Sequence, residues 1–179
     1  MRKLAISGAA AAALLGVQAA HAQPLQTPSS IAEEHREIHG ALERATHEPG
    51  DLGAAARNLL AVLDPHFKRE EEIAAPPLSL LLPLSRGPAT PSMRSVLPMT
   101  RALEAEMPKM LAEHRRIGQA RARFEAVAKR QGRLEEVALA EKLAAHARQE
   151  EEILYPAAIV VGHVVQRETA PPPRPRRGP

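Results

Sequence analysis

Two stretches of this 179-residue chain set an imidazole and a carboxylate at the same spacing. Glu70 follows His66 by four residues, and Glu150 follows His146 by four. In both stretches two more Glu, an Ile and then a Pro come after, the Pro ten residues past the His. Positions i and i+4 share one face of a helix, so each stretch aims a ring nitrogen and a carboxylate at one point. Two such helices facing each other would surround a pair of metal ions. A second element repeats with the first: His35, within Glu34-His35-Arg36-Glu37-Ile38, and His114, within Glu113-His114-Arg115-Arg116-Ile117, precede His66 and His146 by 31 and 32 residues.

The six residues His35, His66, Glu70, His114, His146 and Glu150 interrupt stripes that are otherwise apolar. A buried carboxylate or imidazole is costly unless it is paired or metal-bound. One such His is an ordinary core residue, whereas six in register from four helices point to a metal site. Histidine and carboxylate without thiolate suit iron, manganese or zinc, and the chain has no cysteine. Two six-coordinate ions need about twelve bonds; four imidazoles, two bridging carboxylates and a bridging oxide or hydroxide supply about ten. His39, one turn after His35, is expected to add another and leave one position open to a small ligand. Gly118 stands at the equivalent point of the second half, so the pair is expected to be asymmetric. Glu71, Glu72, Glu151 and Glu152 fall off the stripe and read as solvated neighbours or outer supports. His47 lies in a turn and His163 beyond Pro156, and neither reads as a ligand. No residue reads as catalytic, so the chain is read as a binding protein rather than an enzyme.

Four helices must position these groups. Ser30-Ile31-Ala32-Glu33 reads as a capping box that opens the first, with Ile31, His35, Ile38, Leu42 and Ala45 facing inward. His47-Glu48-Pro49-Gly50-Asp51 breaks it. The second is expected from near Asp51 to about Ala75, with Leu59, Val62, His66, Glu70 and Ile73 inward and a kink at Pro65. Pro76-Pro77 ends it, and the connection to Pro98 is expected to pack down as a short helical cap at 78–82. The third is expected over about 99–129, with Pro108 as a kink or a second start and Met110, His114, Ile117, Arg121 and Phe124 on one face. After Gln131-Gly132 the fourth runs from about Arg133 to Tyr155, with Leu139, Leu143, His146, Glu150 and Ile153 inward, and a short helix at 157–166 follows Pro156. The fold class expected is all-α, an antiparallel up-down-up-down four-helix bundle built from two similar helical hairpins over 30–167.

Composition agrees. The chain is 44% apolar but only 2% aromatic, and it contains no stretch of strand-like alternation. Its formal charge of +3 includes Arg2 and Lys3; basic and acidic residues are mixed along every helix, the pattern of a solvated face rather than of a nucleic-acid binder. A ferritin-like site needs Glu-x-x-His, and no His here has Glu three residues before it. There is no His-Glu-x-x-His, Ser-His-Asp grouping or Gly-rich phosphate loop. Met99, Met107 and Met110 read as core packing rather than a copper box.

The ends differ from the rest. Arg2 and Lys3, the apolar run 4–17 and Ala20-His21-Ala22 read as an export signal cleaved after Ala22. Residues 23–29 are a polar lead-in, and 168–179 a Pro- and Arg-rich tail expected to be disordered. The mature chain is therefore expected in the periplasm or secreted, without stable membrane insertion.

A His on helix 1, His-x-x-x-Glu on helix 2, a His on helix 3 and His-x-x-x-Glu on helix 4 is a pattern that resembles the hemerythrin-like, or HHE cation-binding, domains. The endings Glu-Glu-Ile-Ala-Ala-Pro and Glu-Glu-Ile-Leu-Tyr-Pro are similar to that family's helix ends, and the resemblance covers about 30–162. It implies a non-haem di-iron centre that binds or senses O2, NO or peroxide, or that buffers iron. The family's oxygen carriers have two His one turn apart on helix 3 and line their pocket with aromatics. Here that spacing is on helix 1, at His35 and His39, and aromatics are scarce; both differences bear on O2 carriage and not on metal binding. The second reading is an exported helical interaction or stress protein with a purely structural metal.

Overall fold

A computed structural model describes residues 25–171. The export signal expected over 1–22 and most of the expected tail lie outside the described residues. Among the described residues every regular element is helical. Helix α1 spans Ser29–Thr46, α2 Gly50–Ile73, α3 Leu81–Arg86, α4 Leu97–Arg130, α5 Leu134–Gln149 and α6 Tyr155–Glu168. Glu150–Leu154 is a single wide turn of π type that joins α5 to α6, so 134–168 is one helical stretch. The bundle thus has four long members. They touch in a cycle: α1 packs on α2, α2 on α4, α4 on α5, and α5 on α1.

The apolar stripes explain the packing. Ile38, Leu42, Leu59, Leu63, Phe67, Ile117, Phe124 and Leu143 belong to one buried cluster, and Ile73, Leu78, Leu103, Met110, Tyr155 and Ala158 to a second. Between them lies a buried polar layer: His35 comes before Ile38, His66 and Glu70 lie between Leu63 and Ile73, His114 between Met110 and Ile117, and His146 and Glu150 between Leu143 and Tyr155. Burying the two apolar clusters supplies the driving force, and that force holds the polar layer in place. Met107 and Met110 pack in the second cluster, as a core role requires.

Several local expectations are corrected. The capping box at Ser30 is not made: α1 already begins at Ser29, and the carbonyl of Pro28 accepts from the N–H groups of Ile31 and Ala32. Leu63 is buried where Val62 was expected, and Phe67 joins it. Helix α4 is one element through Pro108, with no second start there, and Pro65 likewise lies within α2. Arg121 is only half-buried and pairs with Glu125. The expected inward Ile153 is 57% exposed. The wide turn at Glu150–Leu154 inserts one residue into the helical register, so Tyr155, 1% exposed, takes the inward place.

The connection between α2 and α4 is more ordered than one short cap. Pro76–Leu80 and Pro91–Val96 form tight 3-10 turns on either side of α3. Leu80, Val96 and Leu97 pack against Val161 and Val165 of α6, which closes that end of the bundle. At the other end Arg133 donates to both carboxylate oxygens of Glu48, at 2.9 and 2.8 Å, and ties the two tight connections together. A glycine with positive φ stands at each turn, Gly50 at 68° as the first residue of α2 and Gly132 at 69° between α4 and α5, a conformation that other residues adopt only at a cost. Among the described residues no helix is long and apolar enough to cross a membrane.

Candidate metal centre

The polar layer brings together six of the seven residues singled out as ligands. His35, His146, Glu70 and Glu150 offer ligand atoms within 4.8 Å of one another, and so do His66, His114, Glu70 and Glu150. The two groups share both carboxylates. Each takes one His from the first half of the chain and one from the second. Around Glu150, His146 Nε2 lies 2.8 Å from Oε1, His35 Nε2 3.5 Å from Oε1, and His114 Nε2 3.4 Å from Oε2. Around Glu70, His66 Nε2 lies 3.4 Å from Oε1 and His35 Nε2 3.9 Å from Oε2.

The seventh residue, His39, is not brought to the layer. It is 43% exposed, with Nε2 3.1 Å from Asp64 on the outside of the α1–α2 seam. One turn beyond His35 the α1 face has rotated toward solvent. His47 is exposed, and His163 is exposed beside Glu104, 3.6 Å away.

Four further carboxylates hold the outer edges of the imidazoles. Glu71 meets His35 Nδ1 at 3.3 Å, Glu113 meets His66 Nδ1 at 3.0 Å, Glu151 meets His114 Nδ1 at 2.7 Å, and Glu34 meets His146 Nδ1 at 3.4 Å. Each Glu comes from the neighbouring helical member, and together they run once round the bundle. The Glu71 and Glu151 that fall off the inward stripe are thus contacts of the site. A carboxylate on Nδ1 fixes the proton there and leaves the Nε2 lone pair pointing inward, the tautomer a metal needs. Phe67 stacks on His35, with ring centroids 4.1 Å apart and planes 3° from parallel, and fixes that ring as well.

Tyr155 is the site residue that the helical period did not reveal. Its Oη donates to Glu70 and stands 3.2 Å from His114 Nε2 and 3.5 Å from His66 Nε2. The available signal was that the chain's single tyrosine sits inside the repeat.

The electrostatics follow from burial plus convergence. Burial lowers the pKa of His66, but Glu70 and Glu113 outweigh it and carry it up to about 9. His114 and His146 are likewise raised against burial, chiefly by Glu150. Burial pushes Glu150 up, yet the imidazoles of His114, His146 and His35 gathered around it bring it well below the usual carboxylate range. Glu70 is raised by burial and by the charge on Glu150. Two carboxylates this close repel unless cations or protons lie between them.

The donor set fits a metal pair on one structural test. His35 Nε2, His146 Nε2 and Glu70 Oε2 are buried and make no hydrogen bond. His146 Nε2 is only 2.8 Å from Glu150, but without the alignment of a hydrogen bond. The atoms converge on a common point instead of on each other. Ligands about 2.1 Å from one cation and at right angles stand about 3 Å apart, which is the range of the spacings here. A cavity of about 10 Å³ adjoins them, lined by His35, Glu70, Glu150 and Tyr155 and roofed by Ile31, Ala74, Ala75, Leu78 and Leu154. That is room for about one water molecule.

The model of one protein family, the hemerythrin HHE cation-binding domain, matches residues 27–158. No curated protein and no solved structure matches the chain.

Proposed function

Because this chain belongs to the hemerythrin HHE cation-binding domain family, we propose that it holds a non-haem di-iron centre and binds or senses a small ligand such as O2, NO or peroxide, or buffers iron. His35, His66, His114 and His146 would hold the two ions, with Glu70 and Glu150 shared between them. The observation that carries this reading is the set of three unsatisfied buried atoms beside a cavity of about 10 Å³. A buried layer left unsatisfied destabilises a fold, so its convergence on two points argues for resident cations. The cavity favours a ligand of two or three atoms over any larger substrate. Bound iron would supply an open coordination position and a change of oxidation state; the protein orients the imidazoles, balances charge and excludes bulk water.

The arrangement we favour is two antiparallel hairpins, supported by the repeated His and His-x-x-x-Glu elements of the two halves. We place the chain outside the cytoplasm on the pattern at 1–22; mass spectrometry of native protein retaining Met1 would refute that placement. Metal analysis of protein purified without a His tag tests the main reading. Two irons per chain, with oxo-to-iron absorption that responds to azide or NO, are expected. One tightly held zinc with no such response would instead make the metal purely structural.

A further inference from the structure

The two halves of the centre repeat the same His and Glu positions, and among the places where they differ one reaches the ligand groups themselves. Aligning His66 and Glu70 with His146 and Glu150 places Ala75 on Tyr155. Both residues come five after their Glu, and both are drawn inward the same way: Ala75 N–H donates to the Glu70 carbonyl, at 2.9 Å, and Tyr155 N–H to the Glu150 carbonyl. Both are buried. The equivalence makes the difference in side chain decisive. On the His66/His114 side a phenol oxygen enters the centre. On the His35/His146 side a methyl group stops short of it; the orphaned Nε2 atoms are found there, and the cavity, which Tyr155 also lines, reaches His35 and Ala75.

We propose that Tyr155 is a ligand to the cation held by His66 and His114, so that the exogenous ligand binds at the His35/His146 half, in the space Ala75 leaves. This rests on the di-iron reading above. The geometry sets it apart from a simple hydrogen bond. Tyr155 has one proton, and it is given to Glu70. With Nδ1 of His66 and of His114 held by Glu113 and Glu151, each imidazole would offer an arriving cation the lone pair at Nε2 once its proton there is displaced. Oη then stands 3.2 Å from His114 Nε2 and 3.5 Å from His66 Nε2, and the three atoms converge where one cation could take all of them. The phenol ring is held for this by stacking on His114, with centroids 5.7 Å apart and planes 19° from parallel. On coordination the phenol proton leaves to solvent, as protons do when ligands take up metal.

Because Tyr155 is the only tyrosine, the test is unambiguous. The full chain, loaded with iron and oxidised, is examined by iron analysis, visible absorption and resonance Raman. The expected result is a phenol-to-iron charge-transfer band with enhanced phenol ring modes. Tyr155→Phe should keep both irons and lose band and modes together. Ala75→Val, which fills the cavity, should weaken azide binding by about tenfold or more and leave the phenol signature intact. An iron-loaded wild type without phenol modes overturns the inference by itself, even if Tyr155→Phe fails to fold. So does a band that survives Tyr155→Phe, or azide binding in Ala75→Val equal to that of wild type. A chain that takes up no iron overturns the di-iron reading and this inference with it; both irons bound without the phenol signature overturns this inference alone.

Discussion

Replacing Glu70 with Gln separates a working metal pair from a satisfied polar core. Glu70 is 2% exposed, accepts from Tyr155 and lies against Glu150 in both ligand groups. In the metal-free chain the amide still accepts from Tyr155 and removes a like charge next to Glu150, so stability should change by no more than about 1 kcal/mol. In the loaded chain the variant removes a negative charge shared by two cations. One unit pair at 4 Å is worth about 4 kcal/mol in a medium of effective dielectric constant about 20, so affinity should fall by at least about a thousandfold. Binding stabilises only the folded state, so that loss appears in full as lost stability of the loaded protein. For a domain of this size the melting temperature should drop by about 8–16 °C. Glu151→Gln weakens only the hold on His114 Nδ1, 2.7 Å away, and should cost about ten- to a hundredfold in affinity, or about 3–11 °C. Glu152, exposed, is the control and should cost nothing measurable. The assay is metal content per chain together with thermal melts, with and without metal, at fixed free metal. Equal behaviour at 70 and 152, or losses at 151 no greater than at 152, would refute the assignment of bridging and supporting roles.

Other outcomes follow from the same geometry. His66 binds its proton more tightly folded, at about 9, than unfolded, at 6.5; its contribution to the metal-free chain is complete below pH 6.5 and lost as pH rises toward 9, which urea unfolding across that window should show. Metal uptake displaces the same protons, so titrations should find affinity rising with pH over that window. His39→Ala should leave metal content unchanged, as elemental analysis can check, since the side chain meets Asp64 outside the centre. Gly162→Ala puts a methyl 2.2 Å from Thr100 Oγ1 and 2.6 Å from its Cβ; denaturant unfolding should show a loss of about 1–3 kcal/mol with metal content retained.

The positions of the six inward His and Glu residues were legible because they obey the helical period and recur in both halves. Three features were not. Tyr155 was hidden because the wide turn at Glu150–Leu154 breaks that period; regular spacing from Glu150 points to Ile153, which faces solvent. Of the ring, Glu71 and Glu151 were read only as solvated neighbours or outer supports, and Glu34 and Glu113 were hidden, because each contact joins two helices and a period along one helix says nothing of its neighbour. The adjacent pairs Glu34-His35 and Glu113-His114, and the runs after Glu70 and Glu150, were its only trace. His39 was grouped with the six inward residues, and its place beside Asp64 was not legible, because ligand counting fixes how many donors two ions need and not which way a side chain turns. The helix starts were misjudged by a residue or so, since a backbone carbonyl, that of Pro28, took the place of the serine side chain.

The sharing of histidines between the halves has a consequence for how the molecule comes together. His35 is grouped with His146, and His66 with His114, so neither the chain before the connection at 76–96 nor the chain after it contains a finished cation pocket. With the cations held in these groups, an ion would be captured once the two pieces have docked and would then act as a latch on a completed assembly. A chain nicked within that connection would be a two-part complex whose cohesion rises with the free metal concentration. In that sense the connection sets how often the parts meet, and the metal sets how long they stay.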